Sequence, residues 1–149
     1  MSIRRCFVQV LLVIVALVAS TSFTAPPADA LSRSTARHVL HIAASKKGAP
    51  YRYGASGPRA FDCSGYTRWV FARVGKRLPR TSRAQARFAH RVTRSHRRLG
   101  DLVFFRSHGR VYHVGIYAGR NTIWHAPRSG ERVHRERIWT RSVSYGRIR

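Results

Sequence analysis

Hydrophobic and polar positions follow three successive regimes along the chain. Phe7 to Ala19 is an apolar run broken only by Gln9. It is followed by stretches with helical periodicity, and then by short runs rich in β-branched and aromatic residues. In the second regime Ala36, Val39, Leu40 and Ala43 recur at helical spacing. They predict a helix from about Ser34 to Lys47, with Ser34 capping its start and Gly48 and Pro50 ending it. Residues 51–60 hold two glycines and a proline and read as a loop. Tyr66, Trp69, Val70 and Val74 then sit at i, i+3, i+4 and i+8. This second helix starts at Asp62 or Cys63, with Asp62 as a natural N-cap and Gly75 as the stop. A Pro turn and a short helix capped by Thr81 or Ser82 come next, leaving His90 and His96 in basic helix or loop.

From residue 101 the period changes. The runs at 101–107, 111–119 and 122–126 are punctuated by Gly100-Asp101, Ser107 to Gly109 and Gly119 to Asn121. They predict consecutive antiparallel strands, with weaker ones in 131–138 and 142–149. Helices first and strands after is the α+β pattern, helices packed on one face of an antiparallel sheet. Strand alternation puts His113 on one face with Val111 and Gly115, and Tyr112 and Val114 on the other.

The leading apolar run has the layout of a secretory signal peptide. Arg4 and Arg5 precede it, and Ala28-Asp29-Ala30 offers small residues where a signal peptidase reads. The run is about thirteen residues, short of the ~20 that span a bilayer. The expected organisation is a leader over residues 1–30, cleaved near Ala30, and one domain over 31–149, in a secreted or wall-associated protein. An uncleaved anchor is the alternative. Cys6 precedes the apolar run, which argues against a lipoprotein acylation site.

Charge narrows the set of partners. The chain has 29 Lys and Arg against 5 Asp and Glu, a net charge of +24. Discounting Arg4, Arg5 and Asp29 leaves 27 against 4. Such a chain seeks polyanions, and export points to anionic wall polymers. No zinc module, basic zipper or aromatic-studded stacking sheet makes nucleic acid a specific partner.

Cysteine narrows the chemistry. Without the leader, Cys63 is the domain's single thiol, excluding an internal disulfide. A single cysteine is an intermolecular disulfide partner, a free reactive thiol or a small buried hydrophobe. Its position at a helix start favours thiolate over thiol, through the macrodipole and unpaired amides. A thiolate nucleophile needs a proton carrier, and histidine is the usual one. Of the eight histidines, His113 and His125 lie within predicted strands in apolar surroundings. Taken singly, a strand histidine is more often structural. Taken together, a helix-start cysteine followed by a strand histidine matches the arrangement of Cys–His hydrolases, with His125 available to orient His113. Metal binding is the weaker reading, since acidic residues are few.

These residues resemble the NlpC family of bacterial cell-wall cysteine peptidases. The resemblance rests on three boxes in order: Asp-Cys-Ser-Gly at 62–65, Gly-Asp-Leu-Val-Phe-Phe at 100–105 and His-Val-Gly-Ile-Tyr at 113–117. It runs over roughly residues 36–148. It implies a papain-like α+β domain that hydrolyses peptidoglycan stem peptides, typically between D-γ-glutamate and diaminopimelate, without a cofactor or metal and as a monomer. Cys63 would be the nucleophile, His113 the base and His125 the orienting residue. Tyr51 would lie near the oxyanion, and Asp62 and Ser64 would hold the stem's free amino end. Ala55 departs from the pattern, where the family usually has a second glycine, and leaves the local loop path open. The alternatives are an N-acetylmuramoyl-L-alanine amidase or acyl transferase on the same fold, or a non-catalytic cationic protein that binds wall or nucleic acid.

Overall fold

The computed structural model describes residues 32–149. The expected leader, its cleavage site and Cys6 lie outside the described residues. Three helices come first: α1 (Arg33–Ala44), α2 (Cys63–Ala72) and α3 (Ser82–Phe88). Six strands follow: β1 (His90–Val92), β2 (Leu102–Ser107), β3 (Arg110–Gly119), β4 (Thr122–His125), β5 (His134–Arg137) and β6 (Val143–Arg147). They form one antiparallel sheet in the order β1-β6-β2-β3-β4-β5. β2 to β5 therefore form a meander, and β6 returns to the free edge of β2.

The helix caps explain where each helix starts. Ser32, rather than Ser34, caps α1 by accepting from Thr35 N, so the helix begins one residue before the expected start. It ends at Ala44, and residues 45–47 continue as turns. Asp62 and Thr81 cap α2 and α3. β1 lies in a basic stretch with no hydrophobic pattern. It forms because His90 to Val92 pair with Tyr145 to Arg147 at the sheet edge.

The α1 and α2 faces and one side of the sheet enclose the main core, including Val39, Phe61, Tyr66, Phe71, Phe104, Val114 and Ile116. Phe61, Tyr66 and Phe71 are fully buried, and each such ring contributes about 1.5–3 kcal/mol of apolar transfer free energy. Tyr66 also donates its hydroxyl to the Ala43 carbonyl at 2.8 Å, tying α2 to α1. The opposite sheet face carries a second cluster with Val103, Phe105, Tyr117, Ile123 and Tyr145. Arg147 of β6 forks onto buried Asp101 with two 2.8 Å contacts, fixing the approach to β2.

A bulge in the β2–β3 ladder overrides the expected alternation. Phe105 pairs with His113, but Arg106 pairs with Val111, so Tyr112 is the extra residue. Val111 consequently joins Val114 and Ile116 in the main core. His113 lies beside Phe105, which belongs to the other cluster, with ring centroids 5.4 Å apart. The expectation that Val111 and His113 share a face fails for this reason.

Candidate active site

Cys63 is the first residue of α2, and the turn that presents it is built around Asp62. The Asp62 carboxylate accepts from Gly65 N at 2.7 Å and from Gly54 N at 2.9 Å. It also holds Arg80 through contacts of 3.0 and 2.5 Å. One buried side chain thus caps the helix, pins the loop leading into it and takes an arginine from the segment after it. Burial opposes its ionisation, but Arg80 and the Gly65 and Gly54 amides outweigh burial and hold the carboxyl below the usual range.

The preceding loop crosses directly over this turn. The Ala55 carbonyl accepts from Asp62 N at 2.9 Å. A Cβ on Gly65 would sit 2.1 Å from that oxygen, so only glycine admits the crossing. The loop's left-handed positions are Gly54 and Gly57, which is why alanine is accommodated at 55. Gln85, fully buried on α3, secures the helix from behind. Its amide donates to the carbonyls of Ser64 and Pro79 at 2.9 Å, and its oxygen accepts from Thr67 Oγ1 at 2.7 Å.

The histidines come from the sheet. Nε2 of His113 lies 2.9 Å from Nδ1 of His125, and both rings are buried. Gly115, two residues after His113 in β3, packs closely on β4, where a Cβ would meet Ile123 Cδ1 at 2.7 Å. His113 engages His125 through Nε2, so Nδ1 is the ring nitrogen that remains for a second partner. Trp139 closes over the pair, with ring centroids 5.9 Å from His113 and 5.6 Å from His125, and stacks on Phe105 at 4.1 Å.

Cys63, His113, His125 and Tyr51 line one cleft of about 500 Å³. Tyr51 reaches it because residues 48–51 run beside residues 131–133, with Tyr51 N donating to the Glu131 carbonyl at 2.9 Å. Asp62 and Ser64 are not among the residues lining this cleft. Both are buried, and Arg80 contacts the Asp62 carboxylate and donates to Ser64 Oγ at 3.0 Å.

Burial sets the electrostatics. It lowers His113 to about 4. Burial, then His113 and His134, lower His125 to about 3. His125 Nε2 lies 3.0 Å from a Glu136 oxygen, within ion-pair range but off the hydrogen-bond direction. Glu136 is partly exposed and screened by water, so burial governs and both rings are neutral at pH 7. Burial, and then the Asp62 carboxylate, push the Cys63 thiol up. The Ser64 and Val114 backbone amides pull it down without overcoming them. The thiolate expected from the helix start alone is therefore reversed, and the resting pair is thiol and imidazole. The Tyr51 phenol is also raised, by burial and then by Cys63 and Asp62, so it stays a hydrogen-bond donor.

A model of the NlpC/P60 family matches residues 48–146, about two thirds of the chain. The chain belongs to the NlpC/P60 family. Over 103 residues it is 48% identical to a protein of Corynebacterium glutamicum named a probable endopeptidase, with 68% of this chain and 48% of that one aligned. Over 121 residues it is 36% identical to a protein of Bacillus subtilis named a bifunctional muramidase/DL-endopeptidase, covering 74% of this chain and 36% of that one. The chain thus spans about half the length of the first of these relatives, or less of the second. The fold is similar to that of a peptidoglycan hydrolase of Mycobacterium tuberculosis, with a TM-score of 0.68, 29% identity, and 79% of this chain and 69% of that one covered.

In this NlpC/P60 domain the sequence pattern missed three groups around the histidines. Trp139 follows the last predicted strand of its segment and carries no periodic signal. Glu136 and His134 sit in β5, a charged run in which the register with β4 decides which residues face His125. The available signal was the rarity of acidic residues, which makes a carboxylate beside strand histidines worth noting. Gln85 has no local signal either, because its partners come from α2 and the Pro79 turn.

Proposed function

We propose that this NlpC/P60 chain is an exported cysteine peptidase that hydrolyses amide bonds of peptidoglycan stem peptides, at the D-γ-glutamyl-diaminopimelate bond. The observation that carries the reading is the shared cleft, which Cys63 lines together with the hydrogen-bonded His113–His125 pair and Tyr51. The named activities of the similar proteins support the same reaction class.

The resting thiol and imidazole fix how the chemistry runs. With Nε2–H of His113 donated to His125 Nδ1, Nδ1 of His113 keeps its lone pair and takes the Cys63 proton as sulfur attacks the carbonyl. Tyr51 donates to the developing oxyanion. His113 then returns the proton to the leaving amine, giving a thioester on Cys63. Water attacks the thioester, His113 accepts its proton and gives it to the departing sulfur. The products are an amine and a carboxylate, and the thiol is restored. His125 holds His113 in the required tautomer throughout.

The residues proposed to bind substrate are Tyr51, Asp62 and Ser64. For the last two to hold a free ammonium, Arg80 must yield part of its contact with Asp62. The high net charge adds electrostatic attraction to anionic wall polymers, and the domain works as a monomer without a cofactor. The test is digestion of purified peptidoglycan by the chain and its Cys63→Ala variant, with the new amine and carboxyl termini identified by mass spectrometry. Termini at another bond, or equal digestion by the variant, overturn the reading.

A further inference from the structure

His125, His134 and Glu136 present two imidazole nitrogens and a carboxylate oxygen that lie within 4.8 Å of one another. The Glu136 oxygen is 3.0 Å from His125 Nε2 and 3.4 Å from His134 Nε2. Ligands on zinc at ~2.0–2.1 Å in a tetrahedron stand about 3.3 Å apart, so these two spacings are already near those of a bound ion. The partly exposed His134 side chain is the one with freedom to close the remaining gap.

The His134 ring is set for this task by its other nitrogen. His134 Nδ1 lies 2.8 Å from the Arg132 carbonyl, which only accepts, so that nitrogen carries the proton and Nε2 offers a lone pair. His125 Nδ1 is held by His113. His125 is 1% exposed, and its Nε2 has no hydrogen-bond partner among the described residues. A buried ring nitrogen left unbonded and facing a carboxylate needs an explanation, and a cation between them supplies one. His125 and Glu136 both line the cleft, which leaves a further coordination position for water. The flanking Arg135 is engaged elsewhere, on Thr122 Oγ1 and the Ala118 carbonyl.

We propose that His125, His134 and Glu136 form a zinc site that switches hydrolysis off. The proposal rests on the reading of His113 as base and His125 as its orienting partner. In the active arrangement His113 carries its proton on Nε2 and His125 on Nε2. Zinc takes the Nε2 lone pair of His125, which forces that ring's proton to Nδ1. His125 then donates to His113 Nε2, so the His113 proton moves to Nδ1. The two rings keep both protons between them. His113 now presents N–H to Cys63 instead of a lone pair and accepts no proton from the thiol.

The test separates binding from catalysis. A Cys6→Ser/Cys63→Ala chain has no thiol and no expected activity, so metal uptake by it is independent of the peptidase reading. Cobalt(II) chloride titrated into it should give visible d–d bands of a four-coordinate site at one ion per chain, displaced by zinc chloride. Adding His134→Ala or Glu136→Gln should weaken uptake by at least about tenfold, with circular dichroism showing that each variant is folded. In the chain that retains Cys63, zinc should suppress peptide hydrolysis reversibly with a chelator, and His134→Ala should keep basal hydrolysis while losing that suppression. No uptake by the thiol-free chain, or equal uptake after His134→Ala, overturns the site. Uptake without suppression in a hydrolytically active chain overturns the switch.

Discussion

Burying two neutral histidines against each other has a cost that acid exposes. His113 is lowered from 6.5 to about 4 by burial. A base whose folded value lies below its unfolded value binds fewer protons when folded. Its contribution is therefore fully present above pH 6.5, and stability is lost as pH falls from 6.5 toward 4. A shift of this size corresponds to about 3 kcal/mol at ~1.4 kcal/mol per unit. The perturbation that isolates it is His113→Gln, which removes the titrating ring and keeps a polar partner for His125 Nδ1. Urea unfolding of both proteins at pH 7, 5.5 and 4 gives the measurement. Wild type is expected to lose about 2–3 kcal/mol more than the variant over that interval, with nearly all of the difference below pH 6.5. Carboxylates such as Asp62 also lose stabilisation in acid, but they are present in both proteins and cancel. If the two proteins lose stability in parallel, His113 is not held neutral by burial, and the neutral-pair mechanism fails with it.

Five further outcomes follow from the same structure. Cys63→Ser should lower stem-peptide hydrolysis more than ~10³-fold with an unchanged circular dichroism spectrum, because an acid-shifted His113 is a weak base toward an alcohol. Since the Cys63 thiol is raised, iodoacetamide should label it more slowly at pH 7 than a free thiol of pKa ~8.5, and the rate should climb above that pH. Fast labelling at neutral pH would restore the helix-start thiolate. His125→Ala should reduce kcat, with His125→Gln milder because it keeps an acceptor for the His113 ring; wild-type turnover in the alanine variant would remove its orienting role. Gln85→Ala should cost about 1–3 kcal/mol in urea unfolding, since the Pro79 carbonyl loses its partner and Thr67 Oγ1 and the Ser64 carbonyl are left with each other. Finally, binding to intact walls should weaken steeply with salt while cleavage of a small soluble peptide changes little, because only the former depends on charges screened beyond ~8 Å.

Much of the molecule was legible in the order of residue types. The helix caps at Asp62 and Thr81, the three main strands and the α+β layout follow from local periodicity and turn chemistry, which act over a few residues. That Cys63, His113 and His125 line one cleft was anticipated from residue type, since a thiol at a helix start and histidines in apolar strands are the groups that a Cys–His arrangement would use. Tertiary structure decided what local pattern does not encode. The bulge at Tyr112 sends Val111 to one core and His113 to the other side, a consequence of β2–β3 register rather than of alternation within β3. β1 exists only because β6 returns to pair with it. The resting protonation of Cys63 was set by burial and by Asp62 together, both of which outweigh the helix-start amides. The approach of Glu136 and His134 to His125 depends on the β4–β5 register, across a loop with no periodic signal. Each is a balance of desolvation and long-range pairing, and such balances exist only once distant segments have come together.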